Sequence, residues 1–145
     1  MALKAPRSFD LTVPSTLEAL EKVQRIVTEA ALEYHLTEDF AYWVELTICE
    51  SMINAIRHGN KCDPSKQARL KISLIDSQIE IIVEDQGRGF NLNDLADPTE
   101  SKNLLKPSGR GILIIRSFMD KVDLSEREGG GTRLRMVKRL PETSA

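Results

Sequence analysis

No stretch of this chain approaches the ~18 consecutive apolar residues that a membrane-spanning helix needs. Residues 1–7 hold no continuous apolar segment, so no secretory signal is expected. Cysteine is scarce: Cys49 and Cys62 form no CxxC pair, and with two His they give no zinc spacing. Free thiols in a reducing cytoplasm are expected, although the pair could in principle form one disulfide. Charge of one sign is missing too, with 20 Lys and Arg against 22 Asp and Glu and a net charge of -2. No overall field therefore draws nucleic acid, and neither nucleic acid nor a membrane is an expected partner. Repeats, heptads and low-complexity tracts are absent as well.

What remains is a chain of 145 residues, 41% of them hydrophobic. That length and composition predict one globular domain over 1–145, with a core of about 8–138 and short tails at about 1–7 and 141–145. Phe9, Leu11 and Val13 alternate with polar residues and predict a strand over 8–13. Ser15-Thr16-Leu17-Glu18 reads as a capping box opening an amphipathic helix over 16–35, with Leu17, Leu20, Val23, Val27, Ala30 and Tyr34 on one face. Thr37 is the next N-cap, with Glu38 and Asp39 where the helix dipole favours acids. The second helix should run over about 38–58 and stop near Gly59-Asn60, burying Val44, Ile48, Met52 and Ile56.

Alternation over 68–75 and 78–84, broken at Asp76-Ser77, predicts an antiparallel hairpin. From Gln86 to Ser108 the periodicity fails, which reads as a long binding loop with a short helix near 92–96. A third helix is expected over about 110–120, with Ile112, Ile115 and Met119 inward. Val122 and Leu124, then Thr132, Leu134 and Met136, form a last hairpin through Gly129-Gly130-Gly131. The expected fold is α+β, a two-layer sandwich: a mixed, mostly antiparallel sheet with about three helices on one face.

Four constellations carry chemistry. Glu50 and Asn54 lie four apart on the second helix, hence on one face. Asn is a mediocre helix former, so its place there calls for a reason. Its amide oxygen suits Mg²⁺, and a carboxylate one turn away could take a proton from an attacking hydroxyl. The same spacing also describes a solvated polar face. His58, taken alone, reads as a helix C-terminal residue. Next, Asp85-Gln86-Gly87-Arg88-Gly89 follows a strand. The Asp could accept from an exocyclic amine such as adenine N6 while the glycines admit a flat ligand, although D-x-G also makes ordinary turns. Ser108-Gly109-Arg110-Gly111 opens the third helix, where backbone N–H groups favour anions and Arg110 could add charge-assisted bonds. Neither stretch is a Rossmann or Walker A motif. Finally, Gly131-Thr132 begins the last strand; the Thr hydroxyl could reach a base or a water beside Asp85, although taken alone it is a strand starter after a turn.

The order of these pieces is more specific than any one of them. It resembles the N box, the two G boxes and the closing Thr of the GHKL, or Bergerat-fold, ATPases, over about 8–138. Among them it is most similar to the small anti-sigma-factor serine/threonine kinases, on Glu-x3-Asn-Ala-Ile-x-His-Gly over Glu50–Gly59 and on Ser-Gly-Arg-Gly-Ile from Ser108 into Arg116-Ser-Phe-Met-Asp120. The resemblance implies an ATP- and Mg-dependent protein kinase. Glu50 would be the catalytic base and Asn54 the Mg²⁺ ligand. Asp85 and Thr132 would read adenine beside Gly87 and Gly89. Gly109, Arg110 and Gly111 would meet the phosphates, with Ser108 and His58 among the ATP-site residues and 91–108 as the lid. It further implies a homodimer that phosphorylates an anti-sigma-factor antagonist and binds a sigma factor. Two other readings stay open: a nucleotide-dependent binding module without kinase chemistry, and the ATP domain of a split histidine kinase. The second would need a phosphoacceptor in a dimerising helix, and neither His35 nor His58 has that setting.

Overall fold

A computed structural model describes residues 8–87 and 107–141, with residues 107–112 described by their backbone alone. Its five strands are β1 (Ser8–Pro14), β2 (Gln67–Ile75), β3 (Gln78–Glu84), β4 (Lys121–Glu126) and β5 (Thr132–Arg139). They form one sheet in the order β1-β2-β3-β5-β4. Every described pair is antiparallel, so the expectation of a mixed sheet is corrected. The chain leaves the sheet after β3, re-enters at the far edge as β4 and turns back as β5 into the centre. That return reverses its direction against β3.

Side-chain alternation divides the sheet. Leu70 lies opposite Val83, and Val83 opposite Leu134, all facing the core. The other face carries ion pairs across strands: Arg69 with Asp10 at 2.6 Å and Arg135 with Glu80 at 2.7 Å. Such pairs are exposed and contribute little stability each, but they suit a face that meets water. The β2–β3 turn places Asp76 and Ser77 at φ 48° and 64°, the primed geometry that matches strand twist.

The helical layer comprises α1 (Leu20–Glu33), α2 (Glu38–Ile53) and α3 (Pro107–Phe118), with α2 packed between the other two. Val23, Val27 and Ala30 of α1 meet Val44, Ile48 and Met52 of α2, and Ile115 of α3 joins them in one buried cluster with Ile72, Ile81 and Met136. Thr37 caps α2 as expected, its hydroxyl accepting from the Phe40 N–H.

Three local expectations are corrected. No capping box forms at Ser15. The Ser15 hydroxyl donates to the Lys66 carbonyl at 2.8 Å, and the helix starts with a 3₁₀ turn, Leu17–Ala19, whose Leu17 is exposed. A buried tertiary partner therefore outcompetes the local N–H groups. The second helix does not stay α-helical to its end: Asn54–Gly59 is a π turn. The third helix starts at Pro107 rather than about 110, because a Pro is pre-organised for the first helical position. The expected short helix near 92–96, most of the long loop and Gly89 lie outside the described residues, as do both tails apart from Pro141.

Candidate functional site

The site forms where α2 runs out. Past Ile53 the backbone widens, and the Asn60 N–H reaches back five residues to the Ala55 carbonyl at 2.8 Å. Such π turns are rare and are frequently found at functional sites. Asn54 opens the turn, its N–H bonded to the Glu50 carbonyl, so the two residues stand one turn apart as the spacing predicts. Asn54 is buried, and its side-chain Nδ2 has no partner among the described residues. An unpaired buried amide costs about 1–3 kcal/mol, which a ligand at this position would recover. Glu50 is half-buried beside it. The neighbouring Cys49 thiol is pushed up to about 11, by burial first and then by Glu45 and Glu50, and so stays protonated.

Asp85 directly follows β3 and is 3% exposed. Its N–H donates to the Thr132 carbonyl at 3.0 Å, extending the ladder to β5. Its Oδ1 accepts from the Gly87 N–H at 3.0 Å and from the Thr132 N–H at 3.2 Å. Burial raises its pKa above the ordinary carboxylate value, while those two N–H groups and the charges of Arg127 and Lys66 pull the other way. Glycines close around the carboxyl group. A Cβ on Gly59 would overlap Asp85 Oδ2, and one on Gly87 would overlap the Gly59 carbonyl oxygen. Gly131, at φ 113°, passes so close that a Cβ would overlap the Asp85 carbonyl. Thr132 is buried, and its hydroxyl has no partner among the described residues.

The structure thus brings Gly59, Asp85, Gly87, Gly131 and Thr132 into atomic contact, one π turn from Asn54 and Glu50. Ser108, Gly109, Arg110 and Gly111 lie in the first turns of α3, the helix that packs on α2. The early start of α3 puts the N–H groups of Ser108, Gly109 and Arg110 in its first turn, where no helical carbonyl serves them. His58 lies on the π turn with its side chain largely exposed, and its pKa is lowered by the partial desolvation of the ring first and then by the charges of Lys61 and Arg57. His35 stands exposed just past α1 at φ 55°.

Sequence reasoning missed Gly59, Asn60 and Gln86 as parts of the site. Asn60 is fully buried. Its Nδ2 donates to Ser15 Oγ at 2.7 Å and to the Gln67 carbonyl at 3.0 Å, and its Oδ1 accepts from the Gln86 N–H at 2.7 Å. Gln86 Oε1 in turn accepts from the Gln67 N–H at 2.7 Å. An Asn beside a Gly at a helix end signals only a C-cap, so nothing in the sequence marked these long-range bonds.

Comparison with known proteins agrees with this fold. Residues 13–138 match the family model described as histidine kinase-like ATPase domain. The serine-protein kinase RsbW of Halalkalibacterium halodurans is 30% identical over 97% of this chain and 88% of its own length. The anti-sigma F factor of Clostridium perfringens is 34% identical over 67% of this chain and 71% of its own. Among solved structures, that of the RsbU and RsbW domains of Rv1364c from Mycobacterium tuberculosis superposes with a TM-score of 0.68 over 94% of this chain and 33% of that one. At 18% identity it speaks for the fold alone. With the family model spanning nearly the whole fold and a relative named a serine-protein kinase similar along nearly the whole chain, this protein belongs to the histidine kinase-like ATPase family.

Proposed function

We propose that the chain is a single ATP-binding kinase domain, core about 8–138, acting in a partner-switching circuit. In that circuit it phosphorylates an anti-sigma-factor antagonist on Ser or Thr and binds a sigma factor, as a cytoplasmic homodimer. Among the described residues, no helix is long and apolar enough to cross a membrane. The observation that carries the reading is the buried Asp85 carboxyl group, whose Oδ1 accepts from two backbone N–H groups while Gly59 and Gly87 pack so closely beside it that neither could carry a Cβ. A carboxyl group held in this way keeps Oδ2, which is not engaged by those two N–H groups, to accept from an exocyclic amine.

In this reading Asp85 accepts from the adenine amine and Thr132 offers its unpaired hydroxyl to the same base, with Gly87 and Gly89 alongside. The first-turn N–H groups of α3, with Ser108, Gly109, Arg110 and Gly111, bind phosphate oxygens, and His58 lies at the solvent rim. Asn54 would hold Mg²⁺ through its amide oxygen, a hard neutral ligand, and the ion would offset phosphate charge, while its Nδ2, unpartnered among the described residues, stays free to donate to an acceptor oxygen. Glu50 takes the proton of the substrate hydroxyl; the freed oxygen receives the γ-phosphoryl group, and ADP departs. Positioning and electrostatics supply most of the acceleration in such transfers.

The test is a phosphotransfer assay against the antagonist. Glu50→Gln is expected to lower kcat by about 100-fold or more with ATP affinity held, the usual worth of a general base. Asn54→Ala should remove the Mg²⁺ dependence of ATP affinity. Undiminished transfer in both variants overturns the assigned roles. Nucleotide-dependent partner binding with no phosphate on any partner would favour the binding-module reading.

Acidification gives a second check. Burial raises the Asp85 pKa, so the group is protonated at a higher pH than a surface Asp and then no longer accepts from an amine. ATP affinity should fall as pH drops through that raised value, and calorimetric titration against pH would show it. Stability moves the other way. A raised folded pKa favours the folded state fully below the ordinary value of 3.8, and that contribution is lost as pH rises through the folded pKa.

A further inference from the structure

We propose that Asn60 is a positioning residue that sets base discrimination by fixing the distance between the Asp85 carboxyl group and its glycine floor. The proposal rests on the reading of Asp85 as the acceptor for the adenine amine. Asn60 follows Gly59, the residue beneath Asp85 Oδ2, and its Oδ1 holds the N–H of Gln86, the residue after Asp85. One fully buried side chain therefore ties the segment under the carboxylate to the segment that carries it.

The bond pattern selects an amide. Asn60 uses both Nδ2 hydrogens, one on Ser15 Oγ and one on the Gln67 carbonyl, while Oδ1 takes the Gln86 N–H. Ser15 has already given its only hydroxyl hydrogen to the Lys66 carbonyl, so it can only accept from Asn60. An Asp at this position would set a charged acceptor against the Gln67 carbonyl, and an Ala would leave the Gln86 N–H and Gln67 carbonyl without this partner. The anchors on either side are tied to the sheet: Pro14 and Gln67 are the paired ends of β1 and β2, and Ser15 follows Pro14 with its N–H on the Lys66 carbonyl at 3.1 Å. The Asn60 N–H is itself part of the π turn. Asn60 thus transmits the sheet's position to both sides of the carboxylate without touching the base.

This assignment separates base discrimination from overall nucleotide affinity. The probes are ATP and purine riboside 5′-triphosphate, which lacks the 6-amino group, titrated with Mg²⁺ against the wild-type and variant proteins. Wild type should prefer ATP by about tenfold or more, the worth of a hydrogen bond to a charged acceptor. Asn60→Ala should cut ATP affinity by about that factor and leave the analogue's affinity nearly unchanged, bringing the ratio close to one. A parallel loss for both nucleotides, with the ratio kept, means a merely structural role and overturns the proposal alone. A wild type without preference overturns the Asp85 reading, and the proposal with it. Should Asn60→Ala fail to fold, Ser15→Ala decides: it removes one acceptor of the Asn60 amide and should lower the ratio part-way, and an unchanged ratio overturns the proposal.

Discussion

Asp85→Asn is expected to lower ATP affinity by about 10- to 100-fold while leaving the protein as stable as before or more so. The side chains are nearly isosteric, so packing is kept. The carboxylate now serves two backbone N–H groups through Oδ1 and keeps a second oxygen over Gly59. An amide has one oxygen. If that oxygen keeps the Gly87 and Thr132 N–H groups, the NH₂ group meets the adenine amine donor to donor. If it turns to the base, two buried N–H groups lose their acceptor. Either arrangement forfeits a charge-assisted bond. Stability follows a different rule. Burial disfavours the ionised form of Asp85, so a neutral amide removes a desolvation cost from the folded state at neutral pH. Isothermal titration and thermal melting of the same sample separate the two effects, and unchanged ATP affinity in this variant would exclude Asp85 as the base reader.

Gly87→Ala is expected to destabilise the fold by about 3 kcal/mol or more and to abolish nucleotide binding. The added Cβ would overlap the Gly59 carbonyl oxygen, which is backbone and cannot swing aside. Either the Asp85 turn or the end of the π turn must move, and both form the cradle. Gly130→Ala is the control. At φ 107° it is strained for an L-residue, yet a Cβ there meets nothing within 4 Å. Its cost should be only about 1–2 kcal/mol of backbone strain, with nucleotide affinity held. Chemical denaturation of the two variants checks the contrast; equal losses would show that the close approach at Gly87 is not what keeps it a glycine.

Much of this molecule is written in short-range chemistry. Alternation of apolar and polar residues gives the strands their spans, because one face of each packs into the core. Thr37 and the Glu-Asp pair after it mark the start of α2, because a cap acts within three residues. The order Glu50, Asn54, Asp85, Gly109-Arg110-Gly111 and Gly131-Thr132 names the family, because spacing survives in the chain. Ser15 shows where such reasoning stops. Its local pattern is that of a helix cap, but Asn60 and Lys66 engage its hydroxyl from far along the chain. The π turn leaves no trace in composition, since a bond to the fifth residue back needs no special residue type. Strand order is equally silent, as β5 enters between β3 and β4 through contacts distant in sequence. Elements and motifs thus follow from neighbours along the chain. The all-antiparallel sheet, the glycine cradle around Asp85 and the Asn60 tether exist only once distant segments meet, because their free energy lies in buried contacts that no local window contains.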